Sequence, residues 1–186
     1  DQYLSDAAEV MDRLVEEGKV RVKGQSAYSA ADFAKTIPVV RPSVLQSWAH
    51  ALDTQFIRPG SQVAQLLEQH GITFVAFSPL AQGRLLDKYD PANPPAFEPG
   101  DNRANSGAFK PEAILALKPK LEKLKARFGD SVEDLAAMAL NYLLAFPNVA
   151  CVIPGFRNER QVRVNVGASG RTLSQEDLDF IAQVFA

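Results

Sequence analysis

Ile72-Thr73-Phe74-Val75-Ala76-Phe77, followed by Ser78-Pro79-Leu80, is the stretch of this 186-residue chain that decides its fold class. Its first six residues are almost all apolar, which is typical of a strand that is covered on both faces, as in parallel sheets. A helix is predicted just before it, over 61–70, and Gly71 is the natural end of that helix. A helix followed directly by a buried strand is the repeating unit of α/β proteins.

The same unit repeats on both sides of this stretch. Strands are predicted over 19–24, where apolar and charged residues alternate, over 43–48, and over the apolar run 149–153, which is expected to be buried. Helices are predicted over the remaining periodic segments: 6–17, 29–35, 61–70, a long helix after Pro111, 131–146, 159–166 and 174 to the end. One helix and then four strand–helix units predict an α/β fold with parallel strands.

Two architectures fit this repeat. Four strands make half of an eight-stranded (β/α)8 barrel of TIM type, or a small open sheet, whereas a whole barrel usually takes ~250 residues. The segment 90–110 is rich in Pro, Asn and Gly and has no periodicity, so it is expected to be a lid or a binding loop. No low-complexity segment or linker divides the chain, and one domain over 1–186 is predicted.

Composition argues against several classes of function. Twenty basic side chains against 22 acidic ones give a formal net charge of −2, which is unlike a non-specific nucleic-acid binder. Cys151 is the only cysteine, so no internal disulfide is expected and a reducing, cytoplasmic setting is favoured. The sequence shows no apolar run of membrane-spanning length, no signal peptide at its start and no His, Cys or carboxylate spacing typical of a metal site.

Polar and aromatic residues gather where the predicted strands end. In parallel α/β folds the carboxyl ends of the strands carry the functional groups. Four clusters meet this rule: Ser26-Ala27-Tyr28, Gln46-Ser47-Trp48, Phe77 to Gly83, and Ile153-Pro154-Gly155-Phe156-Arg157. Their hydroxyls, amide, aromatic face, glycines and arginine suit a planar, phosphorylated ligand better than they suit proton transfer. Arg157 precedes a predicted helix whose first turn favours an anion, and Gln161 and Asn165 follow it at i+4 spacing, which predicts one shared helix face.

Together these motifs resemble the second half of the aldo-keto reductases. The likeness runs in family order through Gly18-Lys19-Val20-Arg21, Gly24, Ser26, Gln46, Gly71-Ile72, Phe77-Ser78-Pro79-Leu80, Gly83, Phe97, Gly100-Asp101, Arg103, Phe109, Ile153-Pro154-Gly155, Arg157, Gln161 and Asn165. It covers nearly the whole chain, and the Ser-Pro-Leu and Ile-Pro-Gly stretches are specific in combination. The resemblance implies the last four strand–helix units of a TIM-type barrel that binds NADP(H) without a Rossmann glycine fingerprint.

The resemblance also implies roles for individual residues. Ser26 and Gln46 would bind the nicotinamide amide, Phe77 would stack on the nicotinamide ring, and the stretch from Ser78 to Arg84 would wrap the pyrophosphate. Arg157 would meet the adenosine 2′-phosphate, with the side chains at positions 161 and 165 at the adenine end. The complete set of implied cofactor-binding residues is Ser26, Gln46, Phe77, Ser78, Pro79, Leu80, Gln82, Gly83, Arg84, Ile153, Gly155, Arg157, Gln161 and Asn165.

This chain departs from the family pattern in two ways. Ala27 stands where the family usually has asparagine, so one amide contact is left unassigned. The family's tyrosine acid, its lysine and aspartate helpers and its pocket histidine belong to the first half of the barrel, so the resemblance assigns no catalytic residue here. The remainder is expected in a longer polypeptide, a cleaved partner or a second subunit.

Two functions from different classes stay open. The first is an NADP(H)-dependent oxidoreductase that reduces a small aldehyde or ketone to an alcohol, with this chain supplying the cofactor-binding half. The second is a non-catalytic, reductase-derived half barrel that binds nucleotide or protein partners through self-association. The second hypothesis follows because a lone half barrel exposes two strand edges and an apolar inner face. Neither hypothesis includes a nucleic acid or a membrane as a partner.

Overall fold

The computed structural model describes residues 3–186 and contains, within that range, seven α-helices and four β-strands. The strands are β1 (Gly24–Ser26), β2 (Val44–Trp48), β3 (Thr73–Phe77) and β4 (Val149–Ile153). The helices are α1 (Leu4–Glu16), α2 (Ala30–Val40), α3 (Gln62–His70), α4 (Pro111–Phe128), α5 (Val132–Leu144), α6 (Glu159–Gly167) and α7 (Gln175–Phe185).

Residue contacts divide these elements between two compact units. Unit 1 runs up to Pro79 and includes Leu143–Pro154, and unit 2 comprises Leu80–Tyr142 and Gly155–Ala186. The one-domain interpretation of 1–186 stays a prediction. In the part of the chain that the structure describes, no helix combines the length and the apolar character needed to cross a membrane.

Unit 1 is built on a parallel sheet whose strands follow the order β1-β2-β3-β4. The three residues of β1 pair with Val44–Gln46, and the whole of β2 pairs with the whole of β3. Strand β4 joins β3 with a register shift between Phe74 and Val75. Each strand lies beside its neighbour in the chain, and the predicted α/β fold with parallel strands is confirmed.

Local sequence signals explain the boundaries of the helices in unit 1. The Ser61 hydroxyl accepts the N–H of Ala64 at 3.2 Å at the start of α3, and Gly71 ends that helix at a left-handed φ of 63°. The Ser29 hydroxyl accepts the N–H of Asp32 at 3.1 Å at the start of α2. Helix α2 is longer than predicted and continues through Pro38 to Val40.

The strand predicted over 19–24 is wrong except for its last residue. The N–H groups of Lys19 and Val20 donate to the carbonyl of Leu14 at 3.0 and 3.1 Å, so the chain leaves α1 in a tight turn rather than in an extended ladder. The alternation of apolar and charged residues over 19–24 has another origin. Lys23 is 8% exposed and ion-paired with Asp12, whereas its apolar neighbour Val22 is 55% exposed.

The two faces of the central strands differ in burial. Leu45, Ser47, Phe74 and Ala76 are fully buried, whereas the residues that alternate with them in β2 and β3 are half-buried or, at Thr73, exposed. On the buried face Phe56 stacks on Phe74, with ring centroids 6.4 Å apart. One face of the sheet is thus closed by core side chains, and the other is partly open.

Strand β4 is less covered than its apolar sequence predicts. Ala150, Cys151 and Ile153 are exposed, so the expectation of a fully buried strand is wrong. β4 is an outer strand of the sheet, with a described partner strand on one side, β3. Apolar composition alone does not show whether a strand lies in the middle of a sheet or at its edge.

Unit 2 is held by contacts between helices and by ordered turns. Arg127 of α4 pairs with Asp177 at 2.7 Å and Glu176 at 3.0 Å at the start of α7, and its guanidinium lies 4.9 Å from the centre of the Phe180 ring. The long loop (residues 90–110), which has no helical periodicity, contains two 3-10 turns, Asn102–Asn105 and Gly107–Phe109. A further 3-10 segment, Ala81–Leu86, was not predicted.

Candidate cofactor site

In unit 1 the two residues implied to bind an amide are direct neighbours across the sheet. Ser26, the last residue of β1, pairs in register with Gln46 of β2, and the next N–H along, that of Ala27, donates to the Gln46 carbonyl at 3.4 Å. Paired residues of parallel strands point to the same face, so the hydroxyl and the amide share one face at the ends of the strands. Gln46 belongs to the half-buried face of the sheet.

Aromatic side chains lie one step further along the same strands. Phe77 pairs in register with Trp48 on one side and with Ile153 on the other. The ring of Tyr28 stacks on Trp48 at 5.8 Å and meets Phe77 edge to face at 6.1 Å. Phe77 is half-buried and Ile153 is 47% exposed, so part of this aromatic surface is available to a ligand.

The cofactor-binding residues implied by the family resemblance do not include Tyr28 and Trp48, although both lie in the clusters predicted at the ends of the strands. The signal for Trp48 was its position two residues after Gln46, which puts both side chains on one face of β2. Tyr28 lies beyond β1 and has no such positional signal. After Phe77 the chain turns sharply at Ser78, whose φ is 57°. The first segment of unit 1 ends at the next residue, the buried Pro79.

In unit 2 the implied pyrophosphate stretch forms what we call the left-handed turn (residues 80–83). Ala81, Gln82 and Gly83 all have positive φ, at 49°, 56° and 86°. The N–H of Gly83 donates to the carbonyl of Leu80 at 2.8 Å and closes the turn. Leu80 is half-buried, whereas the side chain of Gln82 is exposed.

Gly83 is needed for space as well as for its conformation. A Cβ atom built at this position would lie 2.7 Å from the Nζ of Lys88, so the ammonium group rests directly against the glycine backbone. A cation beside a glycine turn is a suitable environment for a phosphate group. Sequence reasoning missed Lys88, and its signal was a lysine five residues after the glycine.

Arg84, the last residue of the implied pyrophosphate stretch, lies in a pocket beside α4. The pocket is lined by Arg84, Asp87, Tyr89, Ile114, Leu117, Lys118 and Leu121. Burial lowers the pKa of the Arg84 guanidinium, and its Nε donates to the carbonyl of Ala81 at 3.4 Å. Its role toward a phosphate stays a prediction.

Asp87, which follows in the same pocket, is fixed by two lysines. Its carboxylate pairs with Lys118 at 2.6 Å and with Lys125 at 2.7 Å. Burial opposes ionisation of Asp87, but the hydrogen bonds from these lysines outweigh it, so its pKa lies below the ordinary value. This network joins the end of the 3-10 segment to α4.

The Gln and Asn implied to bind adenine support the loop that precedes α6. The N–H of Arg157 donates to the Gln161 side-chain oxygen at 2.6 Å, and the Asn165 amide donates to the carbonyl of Gly155 at 3.4 Å. Asn158 caps the helix, so Arg157 precedes it and the predicted shared helix face for all three residues is wrong. The structure nevertheless brings Gly155, Arg157, Gln161 and Asn165 together.

Arg157 itself is exposed and lies in the electrostatic reach of the long loop. Hydrogen bonds from Arg103 lower the pKa of Asp101 to about 2, and the positive charge of Arg157 adds to that effect. Arg103 donates to Asp101 at 2.5 Å and lies 4.4 Å above the ring of Phe97. Arg103, Asp101 and Arg157 all belong to unit 2.

The residues present fit a nicotinamide dinucleotide in chemical terms. Unit 1 offers a hydroxyl, an amide and an aromatic surface, which match a planar ring with a carboxamide. Unit 2 offers a glycine turn with Lys88 and the exposed Arg157, which match phosphates. Unit 1 by itself defines the class of the protein, the α/β proteins with a parallel sheet.

Comparison with known proteins gives the family. The Aldo/keto reductase family model matches residues 1–185. An uncharacterized oxidoreductase of Mycobacterium tuberculosis is 32% identical over 171 residues, which cover 89% of this chain and 50% of that protein. The NADH-specific methylglyoxal reductase of Escherichia coli is 26% identical over 184 residues, covering 97% of this chain and 53% of that protein. The L-glyceraldehyde 3-phosphate reductase of the same species is 28% identical over 192 residues, with coverage of 98% and 54%.

Solved structures that match this chain have the same fold. A glycerol dehydrogenase of Gluconobacter oxydans matches with a TM-score of 0.76 at 22% identity, over 97% of this chain and 54% of that one. The holo form of an aldo-keto reductase of Bacillus halodurans matches with a TM-score of 0.69 at 24% identity, over 95% and 54%. The chain belongs to the aldo/keto reductase family, and the resemblance found in its sequence is confirmed. It spans about half the length of the relatives and structures that it matches.

Proposed function

We propose that this chain is the cofactor-binding half of an NADP(H)-dependent oxidoreductase of aldo-keto reductase type, which reduces an aldehyde or ketone to an alcohol. Aldo-keto reductases generally use NAD(P)H and act on small carbonyl compounds. The observation that carries the proposal is the register of unit 1, which sets Ser26 beside Gln46 and Phe77 beside Trp48 at the ends of parallel strands. The four strands would be the last four strand–helix units of a TIM-type barrel.

The partly open sheet face supports the barrel interpretation. Parallel sheets are almost always covered on both faces, and in a closed barrel the inner face is covered by the other strands of the same barrel. Here the face that carries Gln46 and Phe77 is only half-buried, and the outer strand β4 is exposed. A complementing first half would cover both.

The bound cofactor would supply the hydride that is transferred to the carbonyl carbon. Ser26 and Gln46 would orient the ring through its carboxamide, and Phe77 would hold its plane, so that one face is presented to the substrate. Lys88, together with the left-handed turn, would neutralise the pyrophosphate. The proton for the carbonyl oxygen would come from the first half of the barrel, since the family resemblance assigns no acid to this chain.

The choice of NADP(H) rests on Arg157, whose exposed side chain lies beside the loop held by Gln161 and Asn165. A guanidinium is a suitable partner for a 2′-phosphate, because its charge strengthens each hydrogen bond. The Escherichia coli relative named as NADH-specific makes this a choice that experiment must decide. An aldehyde is the favoured substrate class, because two of the relatives are named for aldehyde substrates.

The test compares NADPH and NADH binding by fluorescence titration in the wild-type chain and in Arg157→Ala. Losing one charge-assisted contact costs about 1.5–3 kcal/mol, so NADPH affinity should fall by about ten- to a hundredfold while NADH affinity is unchanged. Arg163→Ala is the control, since Arg163 is an exposed arginine of α6, the helix that follows Arg157, and is paired with Glu159. Equal weakening of both nucleotides would contradict the assignment of Arg157.

A second candidate function is favoured by the exposed β4. A non-catalytic half barrel would pair with itself along this uncharged strand and bind nucleotide or protein partners in that form. Light scattering of the purified chain distinguishes the two functions: a stable dimer that binds NADPH supports the second, and a monomer that binds NADPH contradicts it. Aldehyde-dependent NADPH oxidation by the chain alone would contradict both the second function and the placement of the acid outside the chain. A reducing, cytoplasmic location is proposed for either, because the single Cys151 is free and exposed.

A further inference from the structure

One peptide group in the left-handed turn is held at both of its polar ends. It joins Gln82 to Gly83, and its N–H donates to the carbonyl of Leu80 at 2.8 Å. Its carbonyl accepts the hydroxyl of Tyr89, also at 2.8 Å. Non-glycine residues adopt the left-handed region reluctantly, so the orientation of such a peptide depends on the contacts around it. The Tyr89 hydroxyl is a side-chain group that contacts this peptide group directly.

The ring of Tyr89 makes a different contact from its hydroxyl. It meets the ring of Phe109 edge to face with a centroid distance of 5.4 Å, and Phe109 in turn meets Phe97 at 5.0 Å. Phe109 is only 5% exposed, so this contact lies in the core of the long loop. Tyr89 therefore contacts the left-handed turn through its hydroxyl, and it contacts the long loop both through its ring, at Phe109, and through its hydroxyl, which lies within hydrogen-bonding reach of Arg103.

The long loop has further internal contacts besides those of Phe109. Arg103 lies over the ring of Phe97 and donates to the carboxylate of Asp101, which itself accepts the backbone N–H of Arg103 at 2.9 Å. These contacts link Phe97, Asp101 and Arg103 to one another, so an anchor at one of them constrains the others. Tyr89 is placed to be that anchor.

We propose that Tyr89 is a positioning residue, which fixes the left-handed turn for the cofactor's phosphates and ties the long loop to that turn. The inference rests on the proposed function, in which this turn faces the pyrophosphate. Tyr89 is not a catalytic residue in this account, because it acts through the backbone of Gln82 and through Phe109. Its loss should weaken nucleotide binding and loosen the long loop together.

The experiment uses the full chain with Tyr89→Phe, which removes the hydroxyl and keeps the ring. NADPH affinity should fall by about two- to tenfold, the effect of one lost hydrogen bond. Trypsin should cleave after Arg103 faster than in the wild type, both with and without NADPH, because the hydroxyl contact with this residue is lost. Tyr89→Leu, which also removes the ring contact with Phe109, should accelerate cleavage further. The control is Tyr3→Phe, the same chemical change at a tyrosine that is 70% exposed.

The outcomes separate this inference from the proposed function. If the wild type binds NADPH and Tyr89→Phe matches it in both affinity and loop cleavage, the role of Tyr89 is wrong and the proposed function stands. If affinity falls but cleavage is unchanged in both Tyr89→Phe and Tyr89→Leu, the tie to the long loop is wrong. A wild-type chain that binds neither NADPH nor NADH would overturn the proposed function, and the positioning role with it.

Discussion

The two units present their candidate groups by different physical means. In unit 1, Ser26, Gln46 and Phe77 are placed by the register of a parallel sheet, which follows from burial of the opposite face. In unit 2, the left-handed turn and the loop before α6 are placed by individual contacts between side chains and backbone, such as those of Tyr89 and Gln161. The first arrangement depends on hydrophobic packing, and the second depends on single hydrogen bonds and charges.

The largest expected effect tests whether the two faces of the sheet differ. Phe74→Ala should lower the free energy of unfolding by about 3–5 kcal/mol, because Phe74 is fully buried and its loss leaves a cavity. Phe77→Ala makes the same chemical change in the same strand on the half-buried face, and should cost only about 1 kcal/mol. Urea unfolding followed by circular dichroism measures both. Equal losses would mean that both faces are covered alike.

A smaller effect tests the single-contact character of unit 2. Gly83→Ala adds a methyl group against Lys88 at a φ of 86°, so NADPH affinity should fall by about tenfold, which corresponds to ~1.4 kcal/mol of strain and displacement. Gly60→Ala is the control, because Gly60 has a similar φ of 79° with open space around the added methyl group. Both variants should lose stability to heat, Gly83→Ala the more because of its contact with Lys88, and only Gly83→Ala should lose affinity in the nucleotide titration.

The smallest effect concerns the charge pair in the long loop. The pKa of Asp101, lowered to about 2 by Arg103, lies below the ordinary value of 3.8. The pair therefore stabilises the loop above pH 3.8, and that contribution is lost as the pH falls toward 2. In a carboxyl-carbon NMR titration, Arg103→Gln should move the Asp101 midpoint back toward 3.8. An unchanged midpoint would show that Arg103 is not the cause of the lowered pKa.

The same difference between the units explains how much the sequence could predict. The apolar runs at β3 and β4 and the caps Ser29 and Ser61 are local signals, and the predicted elements there formed. The candidate residues of unit 1 follow from those elements, because the strand ends of a parallel sheet meet at one edge. The strand predicted over 19–24 is wrong because the alternation of apolar and charged residues there reflects the ion pair of Lys23 with Asp12. The periodicity of the sequence does not reveal this contact.

In unit 2 the sequence identified the right segments without their geometry. Ala81 and Gln82 are not residues from which a left-handed φ is expected, and the contact of Lys88 with Gly83 depends on that turn. The use of Gln161 and Asn165 as supports for the preceding loop likewise needs the position of the helix cap at Asn158. Such features depend on three-dimensional contacts that spacing does not encode.

The order of the strands has a consequence for the entropy of assembling the sheet. The connections from β1 to β2 and from β2 to β3 are short, whereas the chain between β3 and β4 is about three times as long as the one between β2 and β3 and includes α4 and α5. By the logarithmic dependence of loop closure on length, bringing β4 to β3 costs about 1 kcal/mol more than bringing β3 to β2. β4, in which three of five residues are exposed, is therefore also the strand whose pairing costs the chain most in conformational freedom.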